Sequence, residues 1–371
     1  MWIRGAGGSA VKAAVCRTFG APFEIEDVRL DPPSGGEVQV RIKACAICHS
    51  DIHSAAGEWG GSVPAVYGHE AAGVVEAIGD HVRSVEVGDP VVVTLVRSCG
   101  VCGSCEQGNY GSCEARFPLD AQSPLRAAAD GETIEQGLRT GAFAESVVVE
   151  ASQVVRIPGD VPLDRAALLA CGVITGFGAV ANTAKVPAGA SVVVIGTGGV
   201  GLNSVQAAAI CGARTIVAVD ISEQKLEAAR HFGATHALDP TRVDLRSRVK
   251  ALTGGRGADF VFVTVGAKEA ADHAYRLLAP SGTAVMVGLP ALGVKSEFDV
   301  LLFTIASQRI LGSTMGSSNI QTDIPKLVDL YQQGRLKLDE LISARYPLEA
   351  INDAIASVEQ GDALRNVIVF P

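Results

Sequence analysis

From residue 191 to residue 289 the chain alternates short apolar runs with helix-length segments, and this rhythm constrains the fold more than any other feature of its 371 residues. SVVVIG precedes a long Ala-rich helical stretch, TIVAVD precedes SEQKLEAARHFG, DFVFVTVG precedes a helix around 268–278, and TAVMVGL follows. Strands alternating with helices of ten or more residues read as βαβ units, so a parallel sheet of the α/β class is predicted. Residues 10–100 follow a different pattern. VQVRI (38–42), AAGVVEAIG (71–79) and DPVVVTLV (89–96) are short β-branched runs cut by Gly, Pro and Asp, which predicts an all-β, barrel-like region. Further helices are expected over 323–333 and 348–360, with RNVIVF as a closing strand. The Ala-, Gly-, Asp- and Gln-rich segment 114–142 reads as one long connection, which in a compact domain is expected to be functional or to form an interface.

Charge narrows the partners. Lys and Arg number 31 against 40 Asp and Glu, a net charge of −9, which leaves no basic surplus to neutralise phosphates; no nucleic-acid or anionic-membrane partner is expected. The apolar stretches are interrupted before the ~18 residues a membrane helix needs, and the opening MWIRGAGGSAVKAAV lacks an apolar core with a cleavage site, so a cytoplasmic protein is expected. In a reducing compartment, nine cysteines point to metal or catalysis before disulfides.

Four of them, Cys99, Cys102, Cys105 and Cys113, fall within one Gly-rich stretch, and Gly100, Gly103, Gly108 and Gly111 let the backbone fold around one point. That spacing predicts a closed four-sulfur zinc site with no position for substrate and hence a structural role. An iron–sulfur cluster is the rival, with different usual spacings. Cys48, His69 and Cys171 are dispersed, yet two thiolates and an imidazole match a catalytic zinc; buried core cysteines and a surface His–Glu pair are the plain alternative. Gly196, Gly198, Gly199, Val200 and Gly201 form G-x-G-x-x-G between an apolar strand and a helix, the context of a Rossmann phosphate turn. Asp220 ends the next strand, where a carboxylate can take the ribose hydroxyls and repel a 2′-phosphate, which favours NAD over NADP.

GHEAAGVVEAIGDHV (68–82), CAICHSDIH (45–53), the cysteine knuckle, CGVITGFGAV, VIGTGGVG and LRNVIVF together resemble the zinc-dependent alcohol dehydrogenases of the medium-chain dehydrogenase/reductase superfamily, over nearly the whole chain. The resemblance implies a GroES-like zinc catalytic domain from 1–172 and 315–371 and a Rossmann NAD-binding domain from 173–314. It implies two Zn²⁺ per chain, the catalytic one on Cys48, His69 and Cys171, with Glu70 behind it and Asp51 orienting His69. Ser50 and His53 become the proton relay, with Ser50 also a candidate helix N-cap. Lys225 falls at the ribose, and His49 and Arg365 at the pyrophosphate. Trp59 and Leu95 line an apolar substrate pocket. The implied reaction is reversible hydride transfer between a primary aliphatic, allylic or aromatic alcohol and NAD, by a homodimer joined through Rossmann edge strands. Two alternatives stand beside it: a thiol-adduct (S-hydroxymethyl) formaldehyde dehydrogenase using Arg116, and a zinc-stabilised nucleotide-binding protein without turnover.

Overall fold

The computed structural model describes residues 8–361 and 363–371. The chain divides into two compact units. One runs up to Cys171 and adds Asn319–Gln333 and Leu338–Pro371; the other comprises Gly172–Ser318 and Gly334–Lys337.

The first unit is β-rich. Ser9–Cys16, Glu24–Leu30, Leu125–Ala127, Thr133–Gln136 and Ala65–Val66 close a barrel. A seven-stranded sheet runs in the order Val154–Arg156, Pro90–Val93, Glu70–Ile78, Glu37–Ala46, Arg365–Val369 and Ile342–Tyr346, with Ser146–Glu150 also paired to Glu37–Ala46. In this register Ala46 lies opposite both Glu70 and Val367, so the end of one strand meets the start of a second and the middle of a third just before Cys48. Val38, Val40 and Ile42 on the central strand are fully buried with Val91, Val147 and Ile368, each such side chain contributing about 1.5–3 kcal/mol of burial.

The second unit holds a six-stranded parallel sheet: His236–Leu238, Thr215–Val219, Ser191–Ile195, Ala258–Val263, Leu278–Met286, Arg309–Gly312. In chain order this is 3-2-1-4-5-6, the Rossmann arrangement. Every residue of Ser191–Ile195 and Thr215–Val219 is buried, as expected for parallel strands covered on both faces.

Three expectations change. Segment 114–142 is no irregular connection, for it supplies a short helix, Pro118–Ala121, and an antiparallel pair, Leu125–Ala127 with Thr133–Gln136, that completes the barrel. Strands this short carry too few residues for period-2 alternation to show. The helix expected from 323 starts at Ile320, because the Asn319 side chain caps it by accepting from Gln321 N. One helical run, Leu163–Thr183, is long and apolar enough to cross a membrane by length and composition; its Gly, Asn and Thr residues interrupt a count of consecutive apolar residues but barely lower the mean. With 78% of its apolar window buried inside the fold, it is a core helix.

Candidate functional site

The strand Glu37–Ala46 runs through Ile47 into Cys48, whose extended backbone stands immediately before the helix His49–Ala55. The N-cap position is therefore Cys48, and Ser50, expected as a candidate cap, is the second helical residue. Asp51 organises the neighbourhood: its carboxylate accepts from Cys48 N at 3.2 Å and Gly68 N at 2.9 Å, and meets His69 Nδ1 at 2.8 Å. Gly68 has φ +92°, and a Cβ there would lie 2.6 Å from Phe143 N, so the turn presenting His69 requires glycine. Cys171 sits in a π-helical turn, Leu169–Val173, within the core helix; such turns re-aim side chains and recur at functional sites.

These elements bring Cys48, His69, Glu70 and Cys171 together, with one donor atom of each lying within 4.8 Å of the others. Their exposures are 6, 0, 0 and 7%. Both Glu70 carboxylate oxygens and His69 Nε2 are buried without a hydrogen-bond partner, each left at a cost of about 1–3 kcal/mol unless something else meets it. With Nδ1 held by Asp51, Nε2 is the nitrogen left for a metal. The thiols agree: a hydrogen bond from Cys171 holds Cys48 well below the ordinary thiol range against the effect of burial, and Cys171 is raised correspondingly. One proton shared by two thiols is what a divalent cation displaces. Burial pushes Glu70 up to about 8, opposed by the Arg365 guanidinium. Two sulfurs and one imidazole nitrogen are donors that zinc favours.

Arg365, expected at a pyrophosphate or else as a surface cation, is only 5% exposed. It donates to Ile47 O at 3.2 Å and lies 3.4 Å from Glu70 Oε1, so its present bonds belong to the metal set. Ser50 and His53 share the helix after Cys48, and His49 is its exposed first residue. Trp59 and Leu95 are half-buried, the Trp59 ring lying 5.5 Å from that of His53. A groove of about 450 Å³ lined by Arg41, Glu76 and Phe370 includes none of these residues, and its Arg41 and Glu76 already pair at 2.9 Å.

Cys99, Cys102, Cys105 and Cys113 also converge, their sulfurs all within 4.8 Å of one another. Backbone N–H groups of Cys99 and Glu114 point at the sulfurs of Cys113 and Cys102, at 3.3 and 3.5 Å. The latter bond is the main reason the Cys102 thiol is lowered to about 6. Gly100 and Gly108 take positive φ, as the tight path requires. The set fits a tetrahedral metal closed by sulfur.

In the second unit the glycine turn has the dimensions of a dinucleotide cradle. Gly196 adopts φ +89°, and a Cβ on Gly201 would lie 1.9 Å from Gly196 O, so helix and strand pack only without side chains there. A Cβ on Gly198 would meet nothing within 4 Å; open space lies where a pyrophosphate approaches the backbone. Gly198 caps the helix Gly199–Ile210, which begins with Gly199, Val200 and Gly201. The Asp220 carboxylate accepts from Thr197 N at 2.8 Å and Ser222 N at 3.0 Å, which ties the strand end to the turn. Lys225 follows, half-buried, in the helix Glu223–His231.

Four contributors carried no sequence signal. Thr197 and Thr264 brace the turn by hydrogen bonds to Asp220 and to Gly196 O. Glu58 bonds His53 Nδ1 at 2.9 Å. Arg97, fully buried, binds Gln153 Oε1 and Asp120 Oδ1 at 2.8 Å and Arg139 O at 3.1 Å, which fixes the chain on both sides of the knuckle. Each acts through contacts that no local spacing encodes.

Comparison with known proteins agrees with this geometry. Residues 34–159 match the alcohol dehydrogenase GroES-like domain and 199–333 the zinc-binding dehydrogenase family. The chain is 37% identical over 367 residues to the NDMA-dependent alcohol dehydrogenase of Amycolatopsis methanolica, covering 96% of this chain and 98% of that one. Among solved structures it is similar to an alcohol dehydrogenase zinc-binding domain protein from Burkholderia ambifaria, with TM-score 0.94 and 39% identity over 98% of this chain and 100% of that one. It is also similar to benzyl alcohol dehydrogenase from Acinetobacter calcoaceticus, with TM-score 0.91 and 34% identity over the same shares. A GroES-like β-rich domain, a Rossmann sheet and two converging cysteine sets thus place the chain in the zinc-dependent alcohol dehydrogenases of the medium-chain dehydrogenase/reductase superfamily.

Proposed function

We propose that the protein is an NAD-dependent zinc alcohol dehydrogenase that interconverts a primary aliphatic, allylic or aromatic alcohol and its aldehyde. One observation carries the reading: a fully buried Cys48–His69–Glu70–Cys171 set whose imidazole Nε2 and carboxylate oxygens have no hydrogen-bond partner. When bound, zinc supplies Lewis-acid polarisation of the alcohol oxygen and the nicotinamide accepts the hydride. Cys48, His69 and Cys171 are the zinc ligands in this reading, and Asp51 fixes the His69 ring. Cys99, Cys102, Cys105 and Cys113 hold a second, structural zinc. Ser50 and His53 carry the alcohol proton toward solvent, which leaves no charge stranded beside the metal set. Half-buried Trp59 and Leu95 offer apolar surface to the alcohol's carbon skeleton, and the benzyl alcohol activity in the name of a structural relative supports that choice.

The glycine turn 196–201 receives the dinucleotide, with Asp220 and Lys225 at the ribose. Asp220 leaves lone pairs after its bonds to Thr197 and Ser222, and its charge disfavours a 2′-phosphate. Support for a homodimer comes from the exposed edge strand Arg309–Gly312 and the neighbouring exposed Val300, Leu301, Leu302 and Ile305, an apolar row a second copy can cover. A reducing, cytoplasmic setting would keep the thiols of both sets available for metal.

The test is zinc content per chain combined with oxidation of straight-chain, allylic and benzylic alcohols, using NAD, NADP or NDMA as acceptor. Two zincs and NAD-linked turnover that rises with chain length are expected, by roughly fourfold per buried CH₂. In Asp220→Ala the NAD-over-NADP preference should fall about tenfold or more. Turnover with NDMA alone, or wild-type preference for NADP, would refute the cofactor assignment. Thiol-dependent formaldehyde oxidation that is lost in Arg116→Ala would redirect the substrate assignment.

A further inference from the structure

His53 is held from the segment that follows its own helix. The helix His49–Ala55 ends, Glu58 N donates back to His53 O at 3.0 Å, and the Glu58 carboxylate then meets His53 Nδ1 at 2.9 Å. The next residue, Trp59, lays its ring 5.5 Å from the imidazole at 35°. His49, one turn earlier on the same helix, lies 6.3 Å away ring to ring. The groups that face the His53 ring are thus Glu58 and Trp59 from the chain after the helix and His49 from its first position. The imidazole and carboxylate are 34% and 40% exposed, near enough to water to release a proton and covered enough to keep one geometry.

We propose that Glu58 is a positioning residue for proton transfer: its carboxylate keeps the hydrogen of His53 on Nδ1, so that Nε2 presents the lone pair that takes the alcohol's proton. The idea rests on the relay reading of His53 given above. A neutral imidazole bonded to a carboxylate through Nδ1–H has only Nε2 free to accept. As the alcohol becomes an aldehyde, its hydroxyl proton reaches Nε2, the resulting imidazolium stands against the Glu58 carboxylate, and the proton then leaves to water from the half-exposed ring. Trp59 limits rotation of the ring during the transfer.

The experiment uses the full-length holoenzyme with His53→Gln, Glu58→Ala, Glu58→Gln and Glu58→Asp variants. Two readouts are taken: the pH profile of kcat for alcohol oxidation, and ring-¹⁵N NMR of the histidines, with the His53 signals assigned by their loss in His53→Gln. Wild-type His53 should be the Nδ1–H tautomer. In Glu58→Ala it should become a mixture of tautomers, and kcat should fall about three- to tenfold with KM within twofold. Glu58→Gln should follow the alanine variant, and Glu58→Asp should restore much of the wild-type profile. If His53→Gln slows turnover while the Glu58 variants leave the tautomer and kcat unmoved, the Glu58 assignment is wrong and the relay survives. If His53→Gln leaves the kcat profile unchanged, the relay itself is wrong, and the role given to Glu58 falls with it.

Discussion

The two cysteine sets differ first in how the chain reaches them. The knuckle draws its thiols from residues 99–113, keeps three of the four partly exposed, and surrounds its sulfurs with backbone N–H groups of the same segment. The other set collects Cys48 from before a helix, His69 and Glu70 from a strand start, and Cys171 from a π turn, and buries them all. A local loop can satisfy its own donors, so it closes. A site assembled by tertiary packing can leave buried polar atoms without hydrogen-bond partners, as His69 Nε2 and the Glu70 oxygens show. In the proposed reading, the knuckle holds the structural metal and the buried set the one that reacts.

The largest effect should come from Cys48→Ser. Turnover should fall about a thousandfold or more, with one zinc lost and the thermal midpoint within a few degrees of wild type. Cys102→Ser should do the opposite: a midpoint lower by about 10 °C and reduced yield, with kcat per folded molecule retained. Equal losses of activity per folded molecule in the two variants would erase the distinction.

A smaller effect is expected at Arg97, which ties the knuckle's flanks to the barrel. Arg97→Met leaves Gln153 and Asp120 without their guanidinium and should cost about 2–3 kcal/mol in a denaturant titration, with alcohol turnover within twofold. A loss of turnover at unchanged stability would tie Arg97 to the reacting set instead.

The smallest concerns the helix that delivers Cys171. Asp164 lies in its first turn and bonds Arg165 and Arg345, each at 2.8 Å. Burial raises the Asp164 carboxyl, but the two arginines outweigh it and hold it below its usual range. A carboxyl lowered on folding stabilises above its unfolded pKa near 4 and loses that contribution as pH falls through its folded value. Asp164→Asn should therefore cost about 1 kcal/mol or less at pH 7, and the gap should close in acid once the carboxyl is protonated in the folded and unfolded chain alike, as thermal scans across pH would read. A gap that persists in acid would mean that packing, and not charge, holds the helix end.

What could be read from the sequence follows the same division. The knuckle and the turn 196–201 were legible because their donors and glycines are neighbours, so spacing alone carries the geometry. Cys48, His69 and Cys171 needed a family resemblance to be linked, since the register joining them is set by pairing of Glu37–Ala46 with Glu70–Ile78 and by a π turn. The pair Leu125–Ala127 and Thr133–Gln136 escaped notice because so few residues show no alternation. The surface-cation reading of Arg365 falls once its strand is seen beside Glu37–Ala46, where the buried guanidinium turns to Ile47 O and Glu70.

The placement of Arg365 has a further consequence in the order of synthesis. All four knuckle donors exist once residue 113 has been made, whereas Cys171 comes 58 residues later and the Arg365 beside Glu70 comes 252 residues later. At about 5–20 residues per second, the nascent chain carries a complete structural donor set for roughly 10–50 s before the last contact around the reacting set can form. The knuckle's donors are together before the buried set's, and the guanidinium beside Glu70 arrives only with the strand Arg365–Val369.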